Sequence, residues 1–349
     1  MVDTLSKFAR ASFILVVGVA LTAAQLQPAR APAAEKYTVE KIEYKGWKNN
    51  LRVSNDDAEL IITLDVGPRI LSYKLTGGKN VFKEFEDTLG KTGGKDWMSY
   101  GGHRLWVGPE DLTRTYAPDN GPVASKELES FPPQIVLTPG ADKEYGIQRS
   151  MRVILAKTGS NVEVIHTIKN IGDKETELAP WALTVMAPGG MEVIPLPEKK
   201  PHPGPPKNAR SPKDYAANQL MSIWPFTDFK DGRWDIGTKY ITLRQDAKKG
   251  PTKIGLAHKL GWVGYLNGGT LFVKHIPYQD GKTYPDQGVN FETFTNEEML
   301  EIESMGPMIK LVPGASVEHK ETWELFKDVE SFKDEAGIDK HIKARIEKK

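Results

Sequence analysis

Apolar and polar residues alternate with period two along several short stretches of the chain: Tyr37 to Ile42, Asn161 to Asn170, Tyr240 to Arg244 and Ser316 to Lys327. That period belongs to β-strands with one face toward a core. In the last stretch Val317, His319, Glu321, Trp323 and Leu325 share one face. Turn pairs punctuate the strands, among them Asn120-Gly121, Asp231-Gly232, Asn267-Gly268 and Asp280-Gly281. The pattern predicts an all-β sandwich or barrel. Helical spacing occurs only in the charged tail 329–349. There Ile338, Ile342 and Ile346 make a stripe fit to pack on a sheet.

Two segments stand outside this pattern. Lys7 and Arg10 precede the apolar run Phe13 to Ala24, and Ala31-Pro32-Ala33 fits a small-residue cleavage site. The run has about 12 residues, where roughly 20 are needed to cross a bilayer. Residues 1–34 therefore read as an export signal, with the main domain at 35–328. The expected location is periplasmic or secreted, with no membrane span after cleavage. Within that domain, seven of the eighteen residues from Pro195 to Pro212 are proline. Proline has no N–H to donate, so this segment reads as a surface loop that could border a site.

Composition narrows the chemistry. The 47 Lys+Arg and 46 Asp+Glu nearly cancel, which excludes a polybasic nucleic-acid binder. The absence of cysteine excludes disulfide scaffolds, thiol nucleophiles and zinc–thiolate sites. The seven histidines are scattered, so no pre-formed metal site and no cofactor is expected, and coordination assembled from distant strands stays open. There is no G-x-S-x-G elbow. The 349 residues also leave no room for the large helical domain of a typical polysaccharide lyase.

Two clusters remain. Tyr100 to Glu110 (YGGHRLWVGPE) packs an imidazole, a guanidinium, an indole and a carboxylate together. On a strand His103 and Leu105 face one way, Arg104 and Trp106 the other. The paired glycines before them admit a close backbone or ligand. Phe291 to Pro307 holds Glu301 and Glu303 on one strand face, with Leu300, Ile302 and Ser304 opposite. Carboxylates two residues apart lie about 6–7 Å from one another along a strand. Enclosed together, they raise one another's pKa, which suits acid–base work; exposed, they form an ordinary solvent face. His166 shares a face with Val162, Val164 and Ile168 and reads as a core histidine.

These segments resemble the galactose-mutarotase-like superfamily, the aldose 1-epimerases and their relatives, from roughly Leu60 to Phe326. Leu64 to Tyr73 (LDVGPRILSY) is similar to the family's early strand–turn–strand. Gly101 to Pro109 (GGHRLWVGP) resembles its G-G-x-P-x-C-W-P segment. Leu300-Glu301-Ile302-Glu303, followed by Leu311-Val312-Pro313-Gly314, resembles the strand bearing the catalytic Glu and the turn after it. The set is most similar to an exported bacterial family of unknown function within that superfamily.

The resemblance implies a supersandwich of two antiparallel sheets with a sugar-binding cleft and a short C-terminal helix. It also implies epimerase chemistry, an isomerase in which a Glu takes a proton from the anomeric hydroxyl and a His protonates the ring oxygen. Carried over, Glu303 matches the base and Glu301 is the fallback or its tuning partner. The family's acid His has no counterpart; Thr184 or Met186 takes the expected place. His103 then becomes the candidate acid and His275 a second one. Arg69, Arg104 and Lys274 are expected to hold ligand oxygens, Trp106 or Trp181 to stack on the ring, and Glu110 to join the binding set. The functional expectation is an exported carbohydrate-binding protein with possible anomer or epimer interconversion. The alternative is a non-catalytic carbohydrate- or protein-binding module of the cell envelope. The oligomeric state is not legible in the sequence.

Overall fold

Strands dominate the computed structural model, which describes residues 36–347. The expected signal segment 1–34 lies outside the described residues. All strand pairs are antiparallel, and they form two sheets. The first runs in the order Thr38–Tyr44, Trp47–Ser54, Ala58–Thr63, Arg69–Leu75, His103–Gly108, Thr176–Met186, Leu300–Met305, Phe291–Thr295, Thr252–Leu256, Met221–Ile223. The second runs Trp234–Ile236, Tyr240–Arg244, Met191–Pro195, Trp262–Asn267, Thr270–His275, Ser316–Phe326, Val162–Asn170, Ile147–Leu155, Gln134–Pro139, Val123–Leu128. The expected all-β sandwich with a short C-terminal helix is thus the observed architecture.

Period two does the folding work. Ile147–Leu155 buries every second side chain against the core, as an outer strand should. His103–Gly108 and Leu300–Met305 instead bury all their side chains. These strands are covered on both faces, on one by the second sheet and on the other by side chains such as Trp97, Tyr116 and Trp224 that wall a cleft. The inter-sheet core joins residues from both sheets, including Ile70, Phe82, Ile302, Val164, Phe272 and Trp323.

Gly101 and Gly102 have φ of 77° and 66°. A Cβ on them would come within 2.0 Å of Lys83 O and 2.2 Å of Ile70 O. The close approach that the glycines permit is to backbone, and it seats the next strand against its neighbours.

Residues 335–346 form the C-terminal helical segment, capped by Asp334, whose side chain accepts from Gly337 N. The Ile338/Ile342/Ile346 stripe packs on Val193, Trp262, Leu271 and Val273, on the outer face of the second sheet. The proline-rich segment leaves its strand at Pro195 and forms exposed single turns at Pro206–Asn208 and Pro212–Tyr215.

Candidate functional site

Four neighbouring strands put one row of residues across the first sheet: Arg104, Leu183, Glu303 and Glu292 are successive cross-strand partners. Partnered residues share a face. Two residues along, Trp106 partners Trp181. Two residues the other way, Glu301 partners Phe294, which partners Lys253. These rows floor a cleft of about 380 Å³, with Trp97, Glu110, Tyr116, Trp224 and Phe226 among its walls. Larger cavities lie by the C-terminal helix and along the proline-rich segment, away from this acid pair. No residue of 195–212 lines the cleft; Trp224 and Phe226, a little further on, do.

The floor is a charge-ordered constellation. Arg104 Nη2 donates to Glu301 Oε1 at 3.2 Å, and the guanidinium lies over the Trp106 ring, 4.2 Å from its centroid. Trp181 Nε1 donates to Glu303 Oε2 at 2.8 Å. Lys253 Nζ reaches the same Oε2 at 3.3 Å and Glu292 Oε2 at 2.6 Å. Its ammonium also sits over the rings of Trp181 and Trp224, at 5.0 and 4.7 Å. At the rim, Tyr116 Oη donates to Glu110 Oε1 at 2.5 Å.

The two acids of the pair differ in surroundings. Burial pushes Glu301 up to about 7; Arg104 opposes the shift and Glu303 adds to it. Glu303 has two cationic or N–H donors on one oxygen, while its Oε1 and both the Nε and Nη1 of Arg104 have no protein partner. Burial works against the Lys253 charge, yet Glu303 and Glu292 hold it above the ordinary lysine range. Burial also raises Glu292, against Lys253.

Of the residues singled out by sequence, Arg104, Trp106, Glu110, Trp181, Glu301 and Glu303 come together here. The others do not. His103 projects from the opposite face of the same strand, between the sheets, and is fully buried. Thr184 and Met186, expected to stand where the family's acid histidine would be, also face the core; Trp181, Leu183 and Val185 alternate with them toward the cleft. Lys274 lies in the second sheet facing the core, with Nζ 2.7 Å from Glu321. His275, the next residue, takes the other face of that sheet. Arg69 is buried beside the site, bound to Asp119 at 2.8 Å and to Gly101 O at 2.9 Å.

His103 belongs to a closed polar ring in the core whose partners fix every proton. Lys274 Nζ donates to Thr184 Oγ1 at 3.1 Å. Thr184 then donates to His103 Nδ1 at 2.9 Å. His103 Nε2 faces His166 Nε2 at 2.7 Å, and His166 Nδ1 donates to the carbonyl of His319 at 2.9 Å. That last bond leaves Nε2 of a neutral His166 as acceptor, so His103 Nε2 carries the hydrogen. His319 Nε2 donates to Ser304 Oγ at 2.6 Å, and Ser304 donates to Glu321 Oε1. Glu321 closes the ring on Lys274. Burial lowers all three imidazoles, His319 to about 3, which agrees with three neutral rings. Burial alone would raise Glu321, but Lys274 outweighs it and the carboxyl lies below its ordinary value.

His103, His166 and Glu321 bring potential ligand atoms within 4.8 Å of one another, close enough for a metal cluster. The chemistry does not suit one. The ring has spent the histidine lone pairs on O–H and N–H donors, and the Lys274 ammonium holds the cation's place with four acceptors around it.

Lys253, Glu292 and Trp224 were not read from the sequence. Lys253 and Glu292 had a signal, a charged residue inside a strand otherwise apolar or buried (TKIGL, FETFT). Trp224 follows a three-residue edge strand and had none.

No protein-family model matches the sequence, and no curated protein does. Solved structures do. A candidate aldose 1-epimerase from Klebsiella pneumoniae shares 11% identity at a TM-score of 0.55, covering 89% of this chain and 88% of that one. A candidate mutarotase from Salmonella typhimurium shares 12% at 0.53, covering 83% and 94%. A TPR-domain containing protein from Parabacteroides distasonis shares 15% at 0.55, covering 86% of this chain and 55% of that longer one. The likeness is one of fold: the chain folds as a galactose-mutarotase-like sandwich.

Proposed function

We propose that the cleft binds a sugar ring and interconverts its anomers, with Glu303 as general base and Glu301 as general acid. The observation carrying this reading is the enclosed Glu301/Glu303 pair, flanked by indoles, whose members have different partners. Glu303 takes Lys253 and the Trp181 N–H on one oxygen, while Glu301, at about 7, holds a proton for part of the neutral range.

The reaction needs no other donor. Glu303 takes the proton of the anomeric hydroxyl as Glu301 protonates the ring oxygen. The C1–O5 bond breaks and an open-chain aldehyde forms. Rotation about C1–C2 presents the other carbonyl face. The C5 hydroxyl then attacks it, returning its proton to Glu301, while Glu303 protonates the carbonyl oxygen. Both acids end as they began. The two reacting oxygens are bonded to one carbon, so two carboxyls about 6–7 Å apart can each reach one of them within hydrogen-bond distance. The likeness to candidate epimerases supports the same reading. The expected export signal would place the activity in the periplasm or outside the cell.

The Arg104–Glu301 ion pair favours a second reading, a binding module whose acids are held as structural partners. NMR exchange spectroscopy on a panel of aldoses separates the two. Accelerated anomer exchange, lost in Glu303→Gln and Glu301→Gln, supports the isomerase. Ligand line broadening without acceleration leaves only the binding module.

A further inference from the structure

We infer that the cleft holds one ring of an uncharged glycan chain, and that the exposed aromatic strip from Phe226 to Phe229 carries the sugars that follow it. This rests on the sugar-cleft reading above and names its substrate class.

Charge comes first. Each of the two cations lining the cleft has an acidic partner, Glu301 for Arg104 and Glu292 and Glu303 for Lys253, although Arg104 keeps two N–H groups open. The rim adds Glu110 and Glu298, both exposed. A phosphate or uronate group would meet these two rim carboxylates and, among the lining residues, no cation without an acidic partner. An uncharged polyol, with hydroxyls that donate and accept, fits the unpartnered Glu303 Oε1.

The second observation is where the apolar wall goes. Phe226 lines the cleft, yet 47% of it is exposed; Phe229, one turn on, is 40% exposed. A single ring enclosed in the cleft does not need them. Nor is the strip a loose loop. Thr227 accepts from Lys253 N at 3.0 Å and donates to Lys253 O, which locks the first turn to the floor strand. Arg233 holds the next turn, binding Asp231 at 2.7 Å and Gly250 O at 2.6 Å. Phe226 in the cleft wall and Phe229 three residues on, two exposed aromatic side chains on a fixed support, form a stacking platform for sugar rings rather than a flexible lid.

The test measures affinity by calorimetry for neutral β-1,4-glucan, β-1,4-mannan and α-1,4-glucan fragments of increasing length, and for oligogalacturonates. Wild type and a Phe226→Ala/Phe229→Ala variant are compared. Affinity for at least one neutral series should climb with length. The variant should flatten that climb, binding the longest fragment about tenfold more weakly. Both substitutions fall on exposed side chains, so thermal melting should be preserved. Affinity independent of length, or a climb that persists in the variant, overturns the inference and leaves the single-ring cleft standing. Preference for oligogalacturonates overturns the charge argument. Concentration-dependent dimerisation lost in the variant assigns the strip to a protein contact instead. Binding of no sugar at any length removes the sugar-cleft reading and this inference with it.

Discussion

The strands His103–Gly108, Thr176–Met186 and Leu300–Met305 carry two polar constellations back to back, one on each face. On the core face, His103, Thr184 and Ser304 join Lys274, His166, His319 and Glu321 in a ring where every proton is placed. On the cleft face, where Arg104, Trp181, Glu301 and Glu303 meet, Arg104 and Glu303 leave polar atoms without protein partners. Both sets are buried and rich in titratable groups. Perturbed titration marks both and so cannot by itself tell a site from a structural network. What separates them is completion: the core ring closes on itself, and the cleft floor is missing a partner.

That contrast can be broken by experiment. The largest effect should come from Glu303→Gln, which should slow anomer exchange by about 10²–10⁴, measured on the folded fraction, in which Lys253 keeps Glu292 as partner; a variant still as fast as wild type would end its role as base. On the other face, Lys274→Met leaves Glu321 buried without its cation and should cost about 3–5 kcal/mol of stability, read from urea unfolding, with sugar affinity retained by the folded fraction. A Lys274→Met protein as stable as wild type would mean the ring is not the core's structural polar network.

Smaller effects sharpen the same comparison through pH. If Glu301 is the acid, exchange should fall about tenfold per pH unit above about 7, as its proton is lost, once buffer catalysis is subtracted. Any residual exchange in Glu301→Gln should lack that limb. The core ring predicts the opposite dependence, in stability. His319 has a folded pKa of about 3, below its unfolded value, so its contribution is complete above about 6.5. It is lost as pH falls toward 3, because the unfolded chain gains a proton the folded one refuses. Each such histidine adds up to about 1.4 kcal/mol per pH unit to that slope. His319→Gln should flatten the fall in urea midpoint between pH 6 and pH 4; an unchanged slope would mean that the imidazole is already charged in the fold.

Much of the fold was legible because period two is a local property. Alternation in Asn161 to Asn170 and Ser316 to Lys327 identified real strands, and the Ile338/Ile342/Ile346 spacing identified the stripe that covers the second sheet. Alternation also separated Arg104 and Trp106 from His103 and Leu105. It could not say which of those faces was the cleft. That depends on which strands lie alongside and what covers them, and both are settled by pairing between distant segments. His103 and Lys274 were chemically apt for a site, yet a charged residue in a strand is equally apt for a buried ring. Lys253 enters the site because Thr252–Leu256 pairs with Phe291–Thr295, a register that no local pattern encodes.

The row Arg104, Leu183, Glu303 and Glu292 also sets the order in which the site can come into being. Glu303 and Glu292 sit on two strands joined by the short turn at Asn296–Met299, a hairpin whose ends meet quickly. Arg104 reaches that hairpin only through Thr176–Met186, across two long stretches of chain. During folding the acidic half of the floor can therefore exist before its guanidinium arrives, and its like charges are relieved only when the distant strands dock. Ligand affinity in a refolding experiment should accordingly return with the slowest phase, after hairpin structure is already present.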